Sequence, residues 1–245
     1  MQNNEIIDEL QKAMEFYEEL GFKYLPVKEE EVSDLYLKKP VYTSHVETTV
    51  ASVAEEVVTY AADKDKALQE LREEIGDCRR CKLHRGRTNI VFGEGASDAP
   101  LMFIGEGPGR DEDLQARPFV GEAGKLLTSL IEKMGMKRED AYIANIVKCR
   151  PPNNRDPEED EISSCRPFVE KQAQIISPKV IMSLGRVSAQ SILGMKMPIG
   201  KLRGNFFSFN DIPLMPTYHP AYLLRNPKDK WLVWDDAQKV LEKLK

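Results

Sequence analysis

Four cysteines, Cys78, Cys81, Cys149 and Cys165, are the residues of this sequence whose type and spacing most clearly imply chemistry, and the chain has no others. The pattern is C-x2-C-x67-C-x15-C. The first pair forms a tight CRRC clip and the second pair lies far downstream, so one four-thiolate centre would join two distant stretches of chain at a single point. In a cytosolic setting clustered cysteines are more often metal ligands or redox groups than disulfides. Four thiolates accept either a zinc ion or an iron–sulfur cluster, and the spacing leaves both open.

Four further segments carry residues able to handle a small planar ligand or a phosphate. Gly105-Glu106-Gly107-Pro108-Gly109-Arg110 departs from the dinucleotide-binding pattern, because Arg110 stands where the third glycine is needed and Glu106 where a pyrophosphate would approach. It reads as a plain Gly-Pro turn or as a loop that brings backbone amides and one carboxylate to a small group. Phe119, held behind Pro118, is either a core anchor or a stacking platform for a base. The run from Asn145 to Arg155 (NIVKCRPPNNR) offers two Asn side chains, Asn145 and Asn154, with Lys148, Arg150 and Arg155 as phosphate contacts. Turn chemistry is the other reading of Asn153-Asn154. His219, followed by Pro220, begins HPAYLLRNP.

The elements that would position these segments are those of an α/β protein. Short apolar strands are expected at residues 101–105, 141–147, 179–184 and 212–218, with helices at 124–134, 158–176, up to about 193, and 230–244. The alternation predicts a three-layer α/β/α domain with a central, mostly parallel four-stranded sheet, whose polar loops gather beyond the carboxyl ends of the strands. Two prolines in the last strand suggest an edge position or an early strand end. The main body is expected to span 76–245. Residues 1–75 are expected to form an acidic, helical extension, with a helix at 4–20, a linker from 26 to about 62 and a helix at 63–75.

Charge follows the same division. Residues 1–75 carry 8 Lys and Arg against 18 Asp and Glu, a balance of −10, and the remainder carries 27 against 22, a balance of +5. A mildly basic body suits a protein that touches phosphates without coating nucleic acid. The hydrophobic fraction is 41%. No apolar run approaches the ~20 residues of a membrane span, and the MQNNEIIDEL start lacks the pattern of a secretory signal. The expectation is a cytoplasmic protein of the bacterial or archaeal cytosol and nucleoid, monomeric and away from membranes.

In order and spacing, CRRCKL, VFGEG, GEGPG, RPFVG, NIVKCRPPNNR and HPAYLLRNP closely resemble the iron–sulfur (type 4) uracil-DNA glycosylases, over about residues 70–245. That resemblance implies a uracil-DNA glycosylase-like fold. It also implies a [4Fe-4S] cluster on Cys78, Cys81, Cys149 and Cys165, zinc being the alternative, and hydrolysis of the bond between uracil and deoxyribose in single- or double-stranded DNA. Glu106, Asn145 and His219 match the catalytic positions. Phe119 matches the residue that stacks on uracil, Asn154 the one that reads its edge, Glu112 a support for Asn154, and Gly107 a small residue that leaves room for the base. Leu223, Leu224 and Arg225 match a loop that probes the duplex, one leucine acting as a wedge. No lysine stands out as a Schiff-base nucleophile, and residues 148–165 lack the His-bearing insertion of a sister subgroup. The resemblance therefore implies a monofunctional glycosylase.

Two rival readings accompany it. A zinc- or Fe-S-stabilised nucleic-acid-binding module without glycosylase activity would tolerate substitution of the polar loops. A small-molecule hydrolase would need a partner acid for Glu106, and the sequence shows no paired carboxylate. The resemblance does not reach the N-terminal extension, for which a replication or repair protein is a candidate partner.

Overall fold

The computed structural model describes residues 50–245, with side chains from residue 63 onward. The expected helix at 4–20 and most of the expected linker lie outside the described residues, as does any partner surface there. The body carrying the motifs above extends from Glu56 to Lys245.

Six strands form one sheet: β1 (Glu94–Gly95), β2 (Leu101–Gly105), β3 (Tyr142–Asn145), β4 (Val180–Leu184), β5 (Phe207–Phe209) and β6 (Ile212–Thr217). Their order is β1-β3-β2-β4-β6-β5. The four expected strands are the inner four and run parallel, while β1 and β5 add short antiparallel edges that the sequence did not announce. Two or three residues per edge leave too short an alternation to read. The last inner strand is correspondingly not at the edge. β5 pairs with it only from Ile212 to Leu214, so Pro216 lies where that side of β6 is open, and Pro213 faces Ser208.

Strand alternation divides the core cleanly. Met102, Ile104, Ala144, Ile181 and Leu214 face one side, and Leu101, Phe103, Ile143, Val180, Met182 and Met215 the other. The first face is covered by α1 (Val50–Ile75), α4 (Glu159–Ile176) and α5 (Arg186–Leu193). The second is covered by α3 (Glu122–Lys133) and α8 (Lys230–Leu244). Burial on both faces explains why β2 and β4 read as continuous apolar runs. Helix α1 begins at Val50 rather than at 63, inside the expected linker. Its Leu68, Leu71 and Ile75 pack in the same cluster as Ile104 and Phe168, so this end of the assigned extension belongs to the body.

The strand carrying His219 is anchored by a buried ion pair. Arg203 approaches Asp236 of α8 with both Nε (3.1 Å) and Nη2 (2.7 Å), and Thr217 donates to the same carboxylate at 2.6 Å. Asp236 and Thr217 are both fully buried. Asp236→Ala leaves the Arg203 guanidinium only the more distant, half-exposed Asp235 (4.0 Å) and is expected to lower unfolding stability by about 3 kcal/mol. Chemical denaturation of the two proteins checks this.

Candidate active site

β2 and β3 are in register at Gly105 and Asn145, and their ladder continues as Ile146 and Val147 donate to the carbonyls of Gly105 and Glu106 at 3.0 and 3.1 Å. The chain passes from β2 to β3 on one side and from β4 to β6 on the other, so a crevice opens at the carboxyl ends of the central strands. Gly105 has no side chain, and at this strand end that matters. A Cβ there would lie 2.4 Å from Asn145 Oδ1 and 2.5 Å from Phe119 Cζ. The bare backbone lets an amide oxygen and an aromatic ring meet at one point.

Phe119 is placed by the segment around it. The residue is 7% exposed and has φ of 51°, an unusual conformation for a bulky side chain. Glu112, in α2 (Arg110–Gln115), accepts hydrogen bonds from the amides of Val120 (2.9 Å), Gly121 (3.0 Å) and Gly109 (3.1 Å). Arg138 donates to the carbonyl of Pro118 at 2.7 Å. On the α3 side a Cβ at Gly124 would fall 1.9 Å from the Phe119 carbonyl oxygen. The Phe119 ring lies 5.6 Å from that of His219, tilted by 32°.

Protonation states follow from this packing. Nδ1 of His219 accepts the Ala221 amide at 3.1 Å, so in the neutral ring the proton is on Nε2. Burial, reinforced by the nearby Arg225 charge, pushes the His219 pKa down to about 4, and the ring is neutral at physiological pH. Glu106 moves the other way. Burial and the neighbouring Asp156 raise it to about 7, with Arg186 opposing. Asp156 is therefore the partner carboxylate for Glu106 that the sequence did not reveal. It reads there as part of a helix cap, and its ion-pair partner Arg186 opens α5 thirty residues later. Asn145 is 1% exposed, and its Oδ1 is a buried acceptor with no protein partner.

Glu106, Gly107, Phe119, Asn145, Asn154 and His219 line one cleft of about 560 Å³, together with Glu112, Tyr222, Arg155 and Arg225. Several expected roles change. The Glu112 carboxylate holds the Phe119 loop, whereas the recorded partner of Asn154 is Arg150, whose Nε donates to Oδ1 at 2.8 Å. A Cβ at Gly107 would lie 2.7 Å from Val147 Cγ2, so the missing side chain also leaves room for Val147. Lys148 is 1% exposed and its ammonium is bonded internally, so it is no phosphate contact. Arg155 forms a fork with the buried Glu161 at 2.7 and 2.8 Å, which commits its guanidinium to the protein. Leu223 is 4% exposed and belongs to the interior, while Leu224 is 45% exposed. Arg225 is exposed.

The four cysteines meet at a second, small pocket, lined also by Arg80, Arg87 and Lys148. Cys165 sits in the second turn of α4. Three N–H groups point at sulfur: Arg80 at Cys78 (3.4 Å), Arg87 at Cys149 (3.4 Å) and the Lys148 amide at Cys165 (3.2 Å). Among the described residues no three His, Cys, Asp or Glu side chains converge closely enough to hold a single metal ion.

The family model described as "Uracil DNA glycosylase superfamily" matches residues 92–244, the segment that holds the whole sheet and cleft. The chain belongs to the uracil-DNA glycosylase superfamily. Within it, the chain is 50% identical over 183 residues to a type-4 uracil-DNA glycosylase of Saccharolobus solfataricus, covering 71% of this chain and 85% of that protein. The type-4 enzyme of Thermotoga maritima is 44% identical over 180 residues, 72% of this chain and 94% of that protein. In this member of the superfamily, Gly124→Ala should push the Phe119 loop out of place. The expected result is a drop in uracil-release rate of about tenfold or more, from misplacement alone, with the fold retained by circular dichroism.

Proposed function

We propose that this chain removes uracil from DNA by hydrolysing its N-glycosidic bond, leaving an abasic site, as the first step of base excision repair. The observation that carries the reading is the convergence of a Phe ring, a neutral His donor and an orphaned buried Asn oxygen in one cleft. The names of the relatives point the same way.

The residues divide the work by geometry. The target base has to leave the stack to reach the cleft. Phe119 presents a ring face for it, and Asn154 at the rim offers its amide to the base edge. As the bond from C1′ to N1 breaks, the electron pair goes to the base and negative charge grows on its carbonyl oxygen. His219 Nε2–H donates there without first losing a proton, a stabilisation that is commonly among the largest contributions to such rates. Water adds to C1′, held by Asn145 Oδ1. Its proton passes to the Glu106 carboxylate. The Glu106 carbonyl accepts the Val147 amide, and the side chain, its pKa raised to about 7, is the group able to take up the proton.

Among the described residues the cleft lining contains no lysine. That supports a monofunctional enzyme that forms no Schiff base. Leu224, exposed next to Arg225, is the wedge that fills the gap left in the duplex, and Arg225 meets a phosphate. Cys78, Cys81, Cys149 and Cys165 would hold a [4Fe-4S] cluster. Four thiols with three N–H donors aimed at sulfur suit an anionic cluster. The cluster's contribution is to fix the segments around it, with no part in bond breaking. No helix among the described residues is long and apolar enough to cross a membrane, in keeping with a cytosolic enzyme working on DNA.

Incubation with a uracil-containing oligonucleotide followed by alkali tests the reading. Uracil-dependent strand breakage is expected, with no denaturation-resistant DNA adduct. His219→Ala should slow single-turnover release by roughly 100- to 1,000-fold. Absence of breakage with the wild-type chain defeats the proposal.

A further inference from the structure

Lys148 is among the largest side chains fully enclosed in the protein, at 1% exposure. Its ammonium donates to the Asn145 carbonyl at 3.0 Å and to Gln172 Oε1 at 2.6 Å. Gln172 is itself held, donating from Nε2 to the Phe92 carbonyl (2.9 Å) and the Tyr142 hydroxyl (3.0 Å). Both acceptors of the ammonium are neutral dipoles. No carboxylate pairs with Lys148 among the ion pairs of the described residues, where Lys82, Arg87, Arg138, Arg155 and Arg203 all have one. A buried cation without a counter-charge is strongly disfavoured.

The counter-charge lies at the cysteine pocket, which Lys148 lines. Its own amide donates to Cys165 Sγ, and the next residue is Cys149. A four-thiolate iron–sulfur centre is net anionic, because the thiolates outweigh the positive charge of the core. One side chain thus stands between an anionic centre and the main chain of Asn145, whose side-chain oxygen is the orphaned acceptor of the cleft.

We propose that Lys148 is a positioning residue: its charge balances the cysteine-held cluster, and the same ammonium fixes the backbone at Asn145, tying the cluster to the catalytic strand end. This rests on the function proposed above. It also accounts for a lysine next to the site that neither touches DNA nor lines the cleft.

The test uses the full chain with Lys148→Met and Lys148→Arg, measuring iron content, the reduction potential of the cluster, and kcat and KM for uracil release. Lys148→Met should lower the potential, because a nearby positive charge has been removed. It should also lower kcat by about tenfold or more with KM little changed, a loss of the size seen when support around a metal ligand is removed. Lys148→Arg should restore the potential and most of kcat. An unchanged potential and kcat in Lys148→Met, with iron bound and wild-type enzyme active, overturns this proposal alone. If Lys148→Met holds no iron, retention of iron by Lys148→Arg supports the charge role and its loss in both variants overturns it. A wild-type chain without iron or without uracil release overturns the functional reading, and this inference with it.

Discussion

The site depends on a close approach that a single side chain would forbid. At Gly105, the last residue of β2, Asn145 Oδ1 and the edge of the Phe119 ring both come to where a Cβ would be. Everything arranged around that point serves to hold it. The parallel register brings Asn145 opposite Gly105, Glu112 and Arg138 clamp the Phe119 loop, and Gly124 lets α3 press against the loop's backbone. His219 closes the far side from the end of β6, which Thr217 secures to the Arg203–Asp236 pair. A crowded, buried junction of this kind also explains the protonation states. Desolvation favours the neutral forms of both His219 and Glu106, one moved down and the other up.

Much of this was legible because the chemistry lies where strands end. The inner four strands are largely apolar, and β2, β3 and β6 are each followed by a conspicuous polar or glycine-rich segment. Parallel-sheet topology alone then places Glu106, Asn145 and His219 at one edge. The cysteine spacing correctly required two distant segments to meet, and the four thiols do line one pocket. The motif order led to the superfamily that the family model bears out.

What the sequence could not convey was direction and partnership. In NIVKCRPPNNR three basic residues look equivalent, yet Lys148 turns inward, Arg155 is forked to Glu161 and Arg150 holds Asn154. The same applies to Leu223 and Leu224, adjacent in sequence but one buried and one exposed. Asp156 and Arg186 are far apart in the chain, and only the fold sets them beside Glu106. Edge strands β1 and β5 are too short to leave a pattern, and the start of α1 at Val50 falls in a stretch that reads as linker from the acidic, Lys-Lys-Pro and Ser/Thr-rich pieces between 26 and about 62.

The most direct check of the central claim is the pH dependence of single-turnover uracil release. Glu106 must be ionised to receive the water's proton, and its raised pKa sets the working range, while His219 stays neutral throughout. The rate is predicted to rise with pH through a midpoint near 7, and Glu106→Gln should remove most of the rate and the pH step together. A rate that falls as pH rises through that range, or a Glu106→Gln enzyme with the wild-type profile, would contradict it.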